Sequence, residues 1–356
     1  MKLNIKKFFK FIFNKLFSDK NYFNYCNWKL DRKLSFFDIG ARGGVTHPWV
    51  NATNEQINVT LFEPDVKEFN NLKKNKLDNQ KILPYALWSS ELELDLNINY
   101  DPQTSSIYKS NMDLLMQFDD CYRFKNISKN KIKTKTIDAL YHNNEIIDLD
   151  FIKIDIQGGE IEVLKGGKKT LESNLVGLET EVEFAQMYKD QSLFSELEIF
   201  IRKEIGLELW DIKKTYWKYS HKKYNNPTKG RLISGDALFL RPLSNLKSWL
   251  KNMDKEKAYL KLNILITTAL AYGYLDYAYA ILESEFTKEY LGENEIKDLL
   301  VQIKKLQKSF YPFRFGVDFV YLFFQILANS FKPTRKGWGS VSSYHLGSRK
   351  KGIFWF

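Results

Sequence analysis

Apolar residues near the start of the chain, Ile5, Phe8, Phe9, Ile12, Phe13, Leu16 and Phe17, recur at alternating steps of three and one. That rhythm puts them on one helical face, with Lys6, Lys7, Lys10 and Lys15 mostly on the other. From Leu34 onward the rhythm changes to short apolar runs separated by polar breaks. Leu34–Ile39, Asn58–Phe62, Lys81–Leu87, Phe151–Ile156, Leu175–Phe184, Glu208–Lys213 and Asp236–Arg241 read as strands. Leu92–Ile98 and Ile132–Thr136 read as two more. Helical periods fall at Val66–Leu77, just after Thr136, at Ile161–Leu171 and at Ser195–Ile205. Strands alternating with helices predict an α/β fold, a mostly parallel sheet with helices on both faces. The last two strands, joined by an exposed loop, can form a hairpin.

After Pro242 the pattern becomes all helical: Ala258–Tyr272, Tyr274–Phe286 and Asn294–Ser309, with Gly273 and Gly292 as breaks. Val317–Ala328 is apolar apart from Asp318 and Gln325 and too short to span a bilayer. It reads as a core helix or a surface-attached one. The chain thus divides into a basic amphipathic helix and linker (1–33), an α/β domain (34–244), a helical region (245–330) and a flexible basic tail (331–356).

Charge changes the picture at the two ends. The 356 residues carry +11 net, of which residues 1–20 hold +5 and residues 332–356 hold +6. The folded middle is therefore neutral overall, which argues against a nucleic-acid partner. The first helix lacks a cleavage site and is interrupted by Lys10 and Lys15, so it is neither a signal peptide nor a membrane span. It is either an interfacial helix on an anionic membrane surface or a helix packed on the domain. Two cysteines, Cys26 and Cys121, exclude a disulfide scaffold and fit a cytoplasmic, reducing location.

Chemistry concentrates in three segments: Phe36-Phe37-Asp38-Ile39-Gly40-Ala41-Arg42-Gly43-Gly44, Leu61-Phe62-Glu63-Pro64-Asp65, and Lys153-Ile154-Asp155-Ile156-Gln157-Gly158-Gly159-Glu160. Each ends a predicted strand, where open α/β sheets bind ligands. The first has Arg42 and Val45 where a dinucleotide loop needs its second and third glycines. Glu63 follows Gly40 by 23 residues, the place of an acid that accepts ribose hydroxyls.

In order and spacing the three segments together resemble the FkbM family of S-adenosylmethionine-dependent methyltransferases, over about residues 34–242. The resemblance implies a Rossmann-like class I methyltransferase fold of seven strands, the last antiparallel between the fifth and sixth. It implies S-adenosylmethionine as cofactor, held by Asp38 (ammonium), Gly40, Gly43 and Arg42 (carboxylate), Glu63 (ribose) and the segment around Trp88 (adenine). Trp88 can equally be core packing. Two departures stand out: Arg42 and Gln157 occupy positions where the family more often has Asn and Glu.

Methyl transfer to a hydroxyl needs alignment and removal of a proton of very high pKa. Asp155 is the first candidate base, and Glu181, in the row Glu179, Glu181 and Glu183, is the second. Of four histidines, His47 follows the glycine loop, while His221 sits beside Tyr216, Trp217, Tyr219 and Tyr224, an aromatic group suited to a sugar ring. No metal-ligand spacing stands out. The expected reaction is O-methylation of a glycan or small-molecule hydroxyl at the inner face of a membrane. An oxidoreductase using NAD, a glycosyltransferase using Asp148 and Asp150, and a non-catalytic binding module are the alternatives.

Overall fold

The structure, a computed structural model, describes residues 32–220, 230–310, 322–324, 326–327 and 339–341. The amphipathic stretch 5–17, His221 and Tyr224 lie outside the described residues.

In chain order the first strands are β1 (Leu34–Ile39), β2 (Ile57–Phe62), β3 (Gln80–Leu83), β4 (Ala86–Leu87), β5 (Glu93–Asn99) and β6 (Asn126–Lys135). They are followed by β7 (Phe151–Ile154), β8 (Gly177–Glu183), β9 (Glu208–Trp217), β10 (Arg231–Leu240) and β11 (Gly339–Val341). The main sheet has the order β11-β9-β10-β8-β7-β1-β2-β3. Strands β8, β7, β1, β2 and β3 run parallel, and β10 lies antiparallel between β8 and β9. This is the expected seven-stranded, Rossmann-like arrangement with one edge strand added. That edge strand corrects the reading of 331–356 as a tail throughout, because residues 339–341 pair with Thr215, Tyr216 and Trp217. The predicted third strand breaks at Pro84, which has no N–H for a ladder. Its second half, β4, joins β6 and β5 in a separate three-stranded sheet.

The longer helices are α1 (Val66–Lys74), α2 (Ile137–His142), α3 (Glu160–Gly166), α4 (Lys168–Asn174) and α5 (Phe194–Phe200). The C-terminal ones are α6 (Leu243–Lys251), α7 (Lys255–Ala271), α8 (Leu275–Glu283) and α9 (Glu293–Phe310). Side-chain caps start several of them: Asp65, Thr136 and Asp254 accept the amides of Glu68, Ala139 and Lys257. On one face of the sheet α2 to α5 bury Leu140, Val163, Leu171 and Leu197 against Phe37, Ile152 and Ile154. On the other, α7 buries Leu262, Ile266 and Leu270 with Phe36, Phe151 and Leu238.

This second layer has a specific cause. The connection from β1 to β2 holds only the turn Trp49–Asn51 and no crossover helix, although parallel neighbours usually carry one. Helix α7 fills that place. Every residue of it from Lys261 to Ala271 is buried, and Trp49 lies 5.1 Å from the Phe36 ring while donating to Tyr272 Oη at 3.0 Å. The C-terminal helices therefore complete the α/β sandwich.

Candidate functional site

Strands β2 and β3 extend to one side of β1 and β7 and β8 to the other, so the order of the sheet reverses between β1 and β7. Ligands in such sheets bind outside the carboxyl ends at that reversal. Here the two chains touch: Asp155 N donates to Ile39 O at 3.0 Å, and a Cβ on Gly40 would lie 2.1 Å from Asp155 O. Only glycine fits, and its φ of +81° suits no side chain either. Gly43 and Gly44 are also left-handed, with open space around their Cα atoms.

Beside this contact lies a small open cleft. Gly40, Phe62, Pro64, Tyr85, Leu87 and Ile156 belong to its lining, and Leu96 and Ile132 of the small sheet wall it off. Glu63, between two lining residues, is buried, and its Oε1 accepts Asp65 N at 2.8 Å. Burial raises its pKa to about 7 against the lowering effects of that hydrogen bond and of Arg42. Arg42 itself leans toward helix α1, 3.9 Å from both Asp65 and Glu68. Trp88 is buried away from the cleft lining: a Cβ on Gly159 would meet its ring at 2.5 Å, and one on Gly166 would meet its carbonyl oxygen at 2.0 Å.

Behind the glycine contact, Asp38 is fully buried and neither carboxylate oxygen has a hydrogen-bond partner. Lys153, its register neighbour on β7, stands 3.7 Å from Oδ1 and 3.9 Å from Asp155 Oδ2. Burial raises the Asp38 pKa to about 6, opposed by Lys153. Burial would lower Lys153, but Asp38, Asp155, Glu179 and Asp236 outweigh it and hold it cationic. Lys153 escaped the sequence reading although the signal was present: a lysine inside an otherwise apolar buried strand.

Asp155 is half-buried at the end of β7. The next turn places Gln157 at φ 62°, rare for a side chain of this kind. Its amide holds that turn together. Nε2 donates to Asp155 Oδ1 at 3.0 Å and to Glu181 Oε2 at 2.6 Å, while Oε1 accepts from Tyr188 Oη at 2.9 Å. A glutamine thus bridges two acids, which a glutamate could not do as a donor. Glu160, Glu181 and Glu183 gather beside it, each with one carboxylate oxygen within 4.8 Å of the others'. Burial first, and then neighbouring carboxylates, push Glu181 and Glu183 well above the usual range. Glu179, the third member of the predicted row, turns toward the helical layer and accepts from Tyr272 Oη at 2.7 Å.

The aromatic group expected to face a sugar is largely structural. Trp217 is buried against Phe118 and Phe124, and Tyr219 stacks on Phe118 at 5.0 Å with about half its surface exposed. His47 is exposed and contacts Asn51. The structure therefore brings together Asp38, Gly40, Glu63, Asp155 and Glu181, and leaves Trp88 and His47 aside.

Two alternatives lose their footing. Asp150 lies at the opposite end of β7, fully buried, with both oxygens taken by Arg32, Ser35 N and Lys261, so it cannot hold a nucleotide-sugar. A dinucleotide loop needs a helix N-terminus for its pyrophosphate. The chain after Gly40 offers only the three-residue turn at Trp49–Asn51 before β2.

Comparison with known proteins adds the following. The family described as the methyltransferase FkbM domain matches residues 38–206. No curated protein sequence matches the chain. Among solved structures, methyltransferase FkbM from Methylobacillus flagellatus KT is similar at 13% identity and a TM-score of 0.30, covering 58% of this chain and 44% of that one. The chain thus spans less than half the length of that relative. Precorrin-6y C5,15-methyltransferase from Geobacter metallireducens GS-15 aligns at 10% identity and a TM-score of 0.28, over 62% of this chain and 86% of that one. A SAM dependent methyltransferase from Aquifex aeolicus aligns at 13% identity and a TM-score of 0.25, over 67% and 100%.

Proposed function

With residues 38–206 matching the FkbM methyltransferase domain family, we propose that this protein transfers a methyl group from S-adenosylmethionine to a hydroxyl of a glycan or other small-molecule acceptor. The observation that carries the reading is the cleft at the sheet reversal, with left-handed Gly40 on one side and the buried Glu63 carboxylate on the other. The residues present fit the cofactor. Apolar walls from Phe62, Tyr85 and Leu87 suit adenine, Glu63 suits a ribose diol, and the open loop at Gly43 and Gly44 suits a carboxylate. Asp38, with two buried oxygens lacking hydrogen-bond partners, suits an ammonium. When bound, S-adenosylmethionine supplies an electrophilic methyl group. Asp155, half-exposed and steadied by the Gln157 amide, takes the acceptor proton, and Glu181 is fixed beside it by the same amide.

Calorimetry with S-adenosylmethionine, S-adenosylhomocysteine and NAD tests this. Both sulfur compounds should bind and NAD should not; binding of NAD alone would overturn the reading. The Glu63 carboxyl adds a pH signature. Its pKa of about 7 in the free protein means that only the ionised form, which accepts both ribose hydroxyls best, gains as pH rises. Affinity should therefore climb through about pH 7 and be lower and flat in Glu63→Gln. The stability of the free protein should move the other way. A raised carboxyl favours the fold below its unfolded value and loses that contribution as pH climbs through 7. Equal pH profiles for both proteins would remove Glu63 from the site.

The acceptor is proposed to meet the enzyme at the cytoplasmic face of an anionic membrane, with residues 1–20 as the contact. No helix among the described residues is long and apolar enough to cross a membrane. Leu322, Phe323, Phe324, Ile326 and Leu327 are exposed, and the sequence after them is basic, with Lys332, Arg335 and Lys336. Surface attachment of this kind needs an apolar face together with cations. Deleting residues 1–20 should reduce co-sedimentation with phosphatidylserine vesicles; equal sedimentation would remove that helix from the contact.

A further inference from the structure

We propose that Glu160, Glu181 and Glu183 form a binding site for a hard divalent cation, magnesium, manganese or calcium. The three come from two elements that meet at the carboxyl edge of the sheet: Glu160 opens α3, and Glu181 and Glu183 end β8. One carboxylate oxygen of each lies within 4.8 Å of the other two. Oxygens on opposite sides of a cation stand about 4.0–4.2 Å apart for magnesium and about 4.6–5.2 Å for calcium, twice the ligand distance. A bound of 4.8 Å falls inside the calcium span, and closing onto magnesium would draw the oxygens together.

Proximity of acids alone would not carry the proposal. The second observation is Glu183, which is 2% exposed with an Oε1 that has no hydrogen-bond partner. Gln191 lies close enough to favour its charged form but completes no hydrogen bond through Nε2. A buried carboxylate with an unpartnered oxygen, beside two further carboxylates, is costly unless a cation compensates it. No lysine or arginine among the described residues forms an ion pair with any of the three. The nearby Lys153 is committed to Asp38 and Asp155.

Two of the acids are also fixed by hydrogen bonds, as metal ligands usually are. Glu160 Oε1 accepts Ile156 N at 3.0 Å and Gly158 N at 3.2 Å, and Glu181 Oε2 accepts the Gln157 amide at 2.6 Å. Three carboxylates and no imidazole or thiolate form an oxygen-only set, which selects hard cations over zinc or copper. The role of the cation rests on the methyl-transfer reading. Joined to Asp155 through Gln157, it would lower the pKa of a coordinated acceptor hydroxyl, whose proton passes to Asp155. The existence of the site does not depend on that role.

The test is manganese binding to the full chain, followed by electron paramagnetic resonance and by calorimetry, with competition by magnesium and calcium. S-adenosylmethionine affinity is measured on the same samples. One manganese should bind, with affinity lowered at least about tenfold in Glu183→Gln and in Glu181→Gln. Both substitutions remove a carboxylate and keep its shape. Absence of manganese binding at millimolar concentrations in the unaltered protein would overturn the proposal, the acids then being held by protons. Unchanged manganese affinity in both variants would overturn it too, by placing the ion elsewhere. Loss of S-adenosylmethionine binding with manganese binding intact would instead strike at the methyl-transfer reading.

Discussion

Asp155→Asn should lower the turnover number for acceptor-dependent formation of S-adenosylhomocysteine by about 10²–10⁴-fold, the usual worth of a positioned base. The substitution keeps volume and shape. Asn can still accept the Gln157 amide through Oδ1, so the turn at Gln157 and the backbone contact between Asp155 and Ile39 persist. What disappears is the capacity to take a proton at the sheet reversal and one of the carboxylates that keep Lys153 charged. Cofactor affinity should stay near its original value, because the cleft lining does not include the Asp155 side chain. A fall in kcat with KM for S-adenosylmethionine unchanged separates this from general damage. A variant with undiminished turnover would pass the role of base to another group.

The sequence exposed most of the sheet because its strands are buried on both faces and read as continuous apolar runs. Phe151–Ile154 and Leu34–Ile39 are instances. It under-called β6, where Asn126 to Lys131 are exposed and polar and the strand exists only through pairing with β5. Strands β9 and β10 run several residues past their predicted bounds because the hairpin ladder continues, carrying the buried Tyr216, Trp217 and Ile233 outside the main apolar runs. At the site, spacing exposed Asp38, Gly40, Glu63 and Asp155, each at a strand end. It could not expose their grouping with Tyr188 and Gln191, which reach the Gln157 turn from a loop with no pattern of its own. Trp88 illustrates the converse: a residue at the right offset from β4 whose ring is claimed by Gly159. The helices past Pro242 were visible, but not their purpose. That purpose depends on the absence of a crossover helix after β1, more than two hundred residues earlier in the chain.

Lys261→Met should destabilise the protein by about 3–5 kcal/mol, the cost of breaking a buried ion pair from one side. Lys261 is 2% exposed on α7, and its Nζ donates to Asp150 Oδ1 at 2.6 Å, Leu149 O at 2.7 Å and Asn174 O at 2.6 Å. Methionine fills the stem but leaves both carbonyls without that donor and Asp150 with Arg32 and Ser35 N alone. Burial would raise Asp150, yet Lys261 and Arg32 outweigh it and hold the carboxyl below its ordinary value. The stability it contributes is therefore present above the unfolded value near 4 and lost as pH falls through the folded one. Urea unfolding of both proteins at neutral pH measures the loss. Adding Asp150→Asn to Lys261→Met should recover part of it, because the uncompensated charge is then gone. A double variant as unstable as the sum of the single ones would mean that the pair is not coupled. The consequence reaches the site through one strand. Asp150 anchors the start of β7 and Asp155 ends it, so a looser anchor should also lower turnover in the folded fraction. The C-terminal helix that fills the missing crossover thereby fixes the strand that leads into Asp155, the proposed base.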